Sequence, residues 1–351
     1  MPTSRQPKRR SGSGVLAIDT APAMPRIVAL GGGTGLPVLL SGLKEALFPR
    51  ERVTWARRDR LTAVVTVADD GGSSGRLRQT YGMLPPGDIR NCLLALSSGQ
   101  SMLAPLFNFR FGGTQDVGGH SLGNLILSAL TQLENDFCAA VEHAGRMLGI
   151  CGRILPATLA EVTVTAQFDD GTSIAGESRI ASRRQQIRRV RLEPAGARVL
   201  PDAVAAIEAA DVIAIGPGSL YTSLIPILLV EGVVEALNRA RGRVLLVMNL
   251  MTEPGETEAF TAVDHLLAIR RHAPKIRIDD VLLNTTPIAP ALLARYSAAG
   301  AVPVTIDREI LRALGYRPLE RDLLRADLKI RHDPGKLAHA VIDSVVNRET
   351  K

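Results

Sequence analysis

Val64-Val65-Thr66-Val67-Ala68-Asp69-Asp70-Gly71-Gly72-Ser73-Ser74-Gly75-Arg76-Leu77-Arg78 runs from a β-branched stretch into two carboxylates, a glycine-serine loop and two arginines. Such a loop can turn several backbone N–H groups onto one anion. Arginines add charge-assisted hydrogen bonds, and adjacent carboxylates can hold a sugar hydroxyl or a metal. The residue types therefore point to a phosphorylated, hydroxyl-bearing ligand. A plain surface turn does not require this concentration of Asp, Gly, Ser and Arg.

Five further segments carry the same kind of chemistry. Gly31-Gly32-Gly33-Thr34-Gly35 lies between a strand-like and a helix-like run. Its glycines permit close backbone approach, and a helix amino terminus favours negative charge. It departs from the G-x-G-x-x-G fingerprint at Leu36, and it lacks the lysine of a Walker A loop. Gly87-Asp88-Ile89-Arg90-Asn91 reads as a helix opening, with Asp88 as cap and Arg90 and Asn91 in the first turn. His120 and Asn124 stand four apart, the spacing of one helical face, with a capping or core role as the alternative. Gly216-Pro217-Gly218-Ser219 reads as a second strand-to-helix anion loop, and Met248–Thr257 as a third polar strand end. No nucleophile elbow or Ser-His-Asp order is present, which disfavours acyl transfer.

The elements that must position these residues alternate. Strands are expected at Arg26–Leu30, Leu61–Ala68, Asp211–Ile215, Arg243–Leu250 and Val281–Asn284. Helices are expected at Leu36–Leu47, Asp88–Ser97, His120–Leu133, Phe137–Leu148 and Glu256–Arg271. This order predicts an α/β fold: a Rossmann-like, mostly parallel sheet with helices on both faces, binding its ligand beyond the carboxyl ends of the strands. The middle differs. Val162, Val164 and Ala166 alternate with polar residues, Asp169-Asp170-Gly171-Thr172 reads as a hairpin turn, and Ile187–Leu192 alternates apolar residues with arginines. A small antiparallel subdomain or insertion is expected at about 152–195. Its arginines form either a solvated strand face or a partner surface.

Composition bounds the rest. The chain has 351 residues, 46% of them hydrophobic, enough for one large α/β domain or two ordinary ones. The reading adopted is a leader at 1–25, a single domain over 26–345 and a short tail at 346–351. The leader is rich in Ser, Gly, Pro and Arg, has no secretory apolar core, and is expected to be disordered; a functional basic tail is the alternative. Arg5, Lys8, Arg9 and Arg10 supply four of the net +7 charges, leaving a mild positive bias. With aromatics at 3%, base stacking on nucleic acid is not expected. Cys92, Cys138 and Cys151 form no C-x-x-C pair, so a reducing cytoplasm fits better than a disulfide framework or a zinc site. Residues 212–230 carry no charge, but Pro217, Gly218 and Pro226 interrupt them, so strand, turn and buried helix are expected and no membrane span.

Taken together, VALGGGTGL, TVADDGGSSGRLR, LPPGDIRN, FNFRF, GHSLGNLIL, IGPGSLYTSLIP and NLMTEPGET occur in this order. They closely resemble the bacterial gluconeogenesis-factor family, the YvcK-type branch of the CofD-like superfamily named after 2-phospho-L-lactate transferase, over about residues 26–345. The resemblance implies a Rossmann-like nucleotide-binding core. For this branch it implies binding of UDP-sugars, notably UDP-N-acetylglucosamine, and a role in cell-envelope precursor supply, cell shape and gluconeogenic growth. It secures no enzymatic reaction.

Matched residue by residue, the resemblance implies ligand contacts at Gly32, Gly33, Thr34 and Gly35, and at Asp69, Asp70, Gly71, Ser73, Ser74 and Arg76. It extends them to Gly87, Asp88, Arg90, Asn91, His120, Asn124, Gly216, Gly218 and Ser219. Phe260 stands where related sequences often carry Tyr, which keeps a ring face and removes a hydroxyl. Two functions follow. One is a UDP-sugar-sensing regulator that needs no cofactor and acts on a protein partner in amino-sugar or envelope metabolism. The other is a nucleotide-using phosphotransferase with Mg²⁺ at Asp69 and Asp70. The partner, any homodimer and the presence of turnover are left open.

Overall fold

Ile27–Gly31 (β1) and Leu61–Val65 (β2) are buried along their whole length and pair in parallel, Ile27 opposite Leu61. Runs of Val, Ile, Leu and Ala buried on both faces are what a parallel sheet covered by helices demands. The computed structural model describes residues 24–49, 55–98, 102–113, 116–325 and 327–346. Apart from residues 24 and 25, the expected leader lies outside them, as does the tail from 347 onward.

Further strands are Arg153–Pro156 (β3), Thr163–Phe168 (β4), Ser173–Ala175 (β5), Ile187–Glu193 (β6), Val212–Ile215 (β7), Arg243–Val247 (β8), Asp280–Asn284 (β9) and Arg317–Arg321 (β10). Seven of them make one parallel sheet in the order β10-β9-β8-β7-β1-β2-β3. The chain builds outward from β1 through β2 to β3, then returns to the other side of β1 at β7. The crevice outside the carboxyl ends of β1 and β7 is therefore the topological switch point, where ligands of open α/β sheets bind.

The helices that frame this edge are Gly35–Leu47 (α1), Gly72–Tyr81 (α2), Gly87–Leu96 (α3), Leu103–Asn108 (α4), Leu122–Glu134 (α5), Phe137–Leu148 (α6) and Glu177–Ser182 (α7). The helix Pro334–Val346 closes on α1 so tightly that a methyl on Gly42 would overlap the Pro334 carbonyl. At the opposite edge of the sheet Asp280 has no exposed surface and accepts hydrogen bonds from both Arg243 and Arg317. That cross-strand clasp ties β8, β9 and β10 together.

The antiparallel element exists as a three-stranded sheet, β5-β4-β6. Arg153–Pro156, at the start of the stretch read as the insertion, pairs instead with β2 in the main sheet. Asp170 closes the hairpin by accepting from the Thr172 N–H and hydroxyl at 2.9 and 2.6 Å. The His272 ring docks the outer edge of β6: Nε2 accepts the Val190 N–H at 2.9 Å, and Nδ1 donates to the Ala268 carbonyl at 2.7 Å. The Nε2 bond holds only for the neutral ring, and burial pushes the His272 pKa down.

Two helix starts also differ from expectation. The helix expected from Glu256 begins at Ala262, because Thr261 and Asp264 form a capping box there. The helix expected from His120 begins at Leu122, capped by the Ser121 side chain.

Candidate functional site

The first two loops meet at the switch point. Gly31 ends β1 and Gly216 follows β7, and a methyl on Gly35 would overlap the Pro217 carbonyl. Gly32 is equally confined, with a methyl there overlapping the Thr66 side chain and lying 2.7 Å from Asp88 Oδ2. These glycines exist to let two backbones and a carboxylate share one narrow space. Thr34, exposed, precedes α1 and makes no side-chain cap. Asn249, at the end of β8, grips Gly218 from both sides. Its Oδ1 accepts the Gly218 N–H at 3.4 Å, and its Nδ2 donates to the Gly218 carbonyl at 2.9 Å. Ser219 hydrogen-bonds Glu253.

Asp88 is not the expected cap of α3, whose cap position is Pro86. Its side chain turns across the crevice and accepts the Gly33 N–H at 2.7 Å. Glu256 plays the same part on the other side, accepting the Tyr221 N–H at 3.0 Å and the Thr222 hydroxyl at 2.8 Å. Those donors open the π-helical turn Leu220–Leu224 that follows the second loop. Asp69 Oδ1 accepts the Gly71 N–H at 2.8 Å, while its Oδ2 faces Gly87. Asp70 turns the other way, toward the insertion, and accepts from the Ser178 N–H at 3.1 Å and hydroxyl at 3.3 Å. The two adjacent carboxylates thus serve different partners.

Glu177, on α7, completes this acidic rim. Burial, reinforced by Asp69, Asp88, Glu256 and Asp70, pushes its carboxyl up to about 9. Burial raises Asp88 to about 6, against the Gly33 N–H, which lowers it. Burial raises Glu256 to about 7, with Glu253 adding to the effect. Like-charge crowding of this kind marks a site where carboxylates are held for use. Among the described residues, no three His, Cys, Asp or Glu side chains are grouped to hold a metal ion.

The cationic side of the crevice is built by α2, α3 and α5. Ser73, in the first turn of α2, meets His120 Nδ1 at 2.9 Å and accepts from Asn124 Nδ2 at 3.0 Å. His120 and Asn124 therefore do meet on one partner, although His120 precedes the helix. Burial, then Arg76 and Arg110, hold the His120 pKa down. Arg76 and Arg110 donate to the carbonyls of Gly118 and Gly119, each at 2.6 Å. Arg90 donates to Asn91 Oδ1 at 2.7 Å. Ser74 and Gly87 bring α2 and α3 together, since a methyl on Gly87 would overlap Ser74 Oγ. On this side of the crevice, the buried Arg90 Nε, a donor, and Asn124 Oδ1, an acceptor, lack a partner. A ligand complementary to both carries an anion and a hydroxyl or amide N–H.

Phe260 is half-buried and packs edge-on against Tyr221 and His265, with centroids 6.3 and 5.7 Å away. Beside Thr34 and Asn91 an open groove of about 820 Å³ runs between α1, α3 and α4, within the range of small-molecule sites. Sequence reasoning gave no role to Arg110, which lies in the quoted FNFRF segment, or to Glu177. Asn249 and Glu256 were visible only as part of a polar strand end.

Fold and site together define an open α/β protein with a polar crevice at its switch point. A family model, 2-phospho-L-lactate transferase CofD, matches residues 27–324. The gluconeogenesis factor of Halalkalibacterium halodurans is 42% identical over 318 residues, covering 90% of this chain and 95% of that protein. The Bacillus subtilis gluconeogenesis factor is 43% identical over 321 residues, covering 91% and 98%. A crystal structure of a Bacillus halodurans protein superposes with a TM-score of 0.84 at 42% identity, covering 91% of this chain and 99% of that one. The chain belongs to the CofD family, in its gluconeogenesis-factor branch.

Proposed function

We propose that this protein binds a UDP-sugar, with UDP-N-acetylglucosamine as the leading ligand, and acts as a regulator. In this reading it links gluconeogenic growth to envelope-precursor supply and cell shape. The observation that carries the reading is the pairing of opposite chemistries in one crevice. Carboxylates that can accept sugar or ribose hydroxyls line one side, and guanidiniums suited to a diphosphate line the other. The names of the related gluconeogenesis factors support the link to gluconeogenic growth. The regulated partner is expected to be a protein of amino-sugar or envelope metabolism, met in the cytoplasm. No described helix is long and apolar enough to cross a membrane.

A second reading, Mg²⁺-assisted phosphotransfer, follows from the two adjacent carboxylates Asp69 and Asp70 in the sequence. Against it, Asp69 and Asp70 serve separate partners rather than one shared cation. Prolonged incubation with UDP-N-acetylglucosamine and Mg²⁺, followed by product analysis, separates the two. Recovery of intact ligand supports the regulator, and stoichiometry-exceeding product formation supports the transferase.

A further inference from the structure

Both glycine loops that resemble phosphate cradles are already answered from within the protein. Asp88 takes the Gly33 N–H, Asn249 takes the Gly218 N–H, and Glu256 takes the donors at the head of the following turn. A phosphate entering there would displace a carboxylate and face Asp69 beside it. Like charges at such range oppose binding.

The β2 side offers the reverse. The amino termini of α2, α3 and α5 approach one another through Ser73, Ser74, Gly87 and His120. Each of the three helices has ten or more residues, and each contributes a positive dipole end. Arg76, Arg90 and Arg110 gather there, near enough that Arg110 lowers the pKa of Arg90, second only to burial. Among the described residues, none of the three has a salt-bridging carboxylate; they donate to two carbonyls and an amide oxygen. Arg90 is 7% exposed, yet its Nε has no partner. Its Cδ lies against Gly123, in the first turn of α5, 2.9 Å from where a methyl would sit. A buried, charged donor left open beside two like charges calls for an oxyanion.

We propose that the ligand's diphosphate binds in the pocket of Arg76, Arg90 and Arg110 at the amino termini of α2, α3 and α5, and that the glycine loops after β1 and β7 face its hydroxyl groups instead. The assignment rests on the sugar-nucleotide reading for the identity of the ligand, but the anion pocket is testable without it. Asn124 Oδ1, the unpaired acceptor beside Ser73, fits a hydroxyl or amide N–H next to the phosphates.

Isothermal titration in Mg²⁺-free buffer, with inorganic pyrophosphate and separately with UDP-N-acetylglucosamine, tests the placement. Arg76→Gln and Arg110→Gln change exposed side chains and are expected to leave the fold intact. Each is expected to weaken pyrophosphate binding by roughly tenfold or more. Arg325→Gln is the contrast: this exposed arginine lines the groove beside Thr34 and the first glycine loop. It is expected to stay within about twofold of wild type. Pyrophosphate binding that survives in Arg76→Gln and Arg110→Gln but falls in Arg325→Gln would overturn the placement, as would its absence from the wild type. Pyrophosphate held by the arginines without any UDP-N-acetylglucosamine binding would support the pocket and refute the sugar-nucleotide reading.

Discussion

The Gly33 N–H donates to Asp88 Oδ2 at 2.7 Å, across 55 residues of sequence. The contact joins the first glycine loop to α3 and places a buried carboxyl at the head of the switch-point crevice. The proton balance of that carboxyl couples the crevice to pH. Its pKa is raised from 3.8 to about 6, so its contribution to stability is full below 3.8 and is lost as pH rises through about 6. The expected loss is about 3 kcal/mol. Asp88→Asn should flatten that part of the pH profile of thermal unfolding while retaining an acceptor for Gly33. An unchanged slope would show that Asp88 is ionised in both states.

Glu177 has the same sign over a higher window. Its carboxyl is raised from 4.5 to about 9, so the ligand-free protein should lose stability as pH climbs toward 9. Glu177→Gln removes the like-charge crowding and is expected to raise Tm at pH 8 by about 2 °C or more, on the scale of ~1 kcal/mol. A lower Tm at that pH would mean that the carboxylate has a favourable partner.

Asp280→Ala leaves Arg243 and Arg317 without their shared buried carboxylate. A destabilisation of about 3 kcal/mol is expected in denaturant unfolding, with ligand affinity unaltered because the clasp lies at the far edge of the sheet. A cost below ~1 kcal/mol would show the pair to be solvent-screened.

Gly35→Ala drives a methyl into the Pro217 carbonyl, where the two loops touch. It should cost about 1–3 kcal/mol by overpacking and weaken UDP-N-acetylglucosamine binding with it. Wild-type affinity in a folded Gly35→Ala protein would place the ligand away from the switch point.

Much of this fold is legible in the chain because the central strands are continuous apolar runs. Ile27–Gly31, Leu61–Val65, Val212–Ile215 and Arg243–Val247 are buried nearly throughout, and such runs bounded by glycine loops have few other uses. The edge strand Arg317–Arg321 escapes notice because Arg-Pro-Leu-Glu-Arg has no apolar period. Residues 72–75, Gly-Ser-Ser-Gly, read as loop on propensity, yet they open α2, because packing against Gly87, His120 and Asn124 overrides a weak local preference. The residue types of the site were visible at Asp69, Arg76, Arg90 and His120. Their division of labour was not, because it depends on contacts such as Asp70 with Ser178, 108 residues away. Likewise nothing local says that Asp88 fills the loop at Gly33 rather than capping its own helix.

The central claim, that the crevice holds a UDP-sugar without needing metal, is tested most directly by thermal unfolding of the full chain with UDP-N-acetylglucosamine in Mg²⁺-free buffer containing chelator. Ligand at ~100 times its dissociation constant should stabilise the protein by about 2.7 kcal/mol. Added Mg²⁺ should leave that shift unchanged. No shift at saturating concentrations of any UDP-sugar, or a shift that appears only with Mg²⁺, would contradict the account.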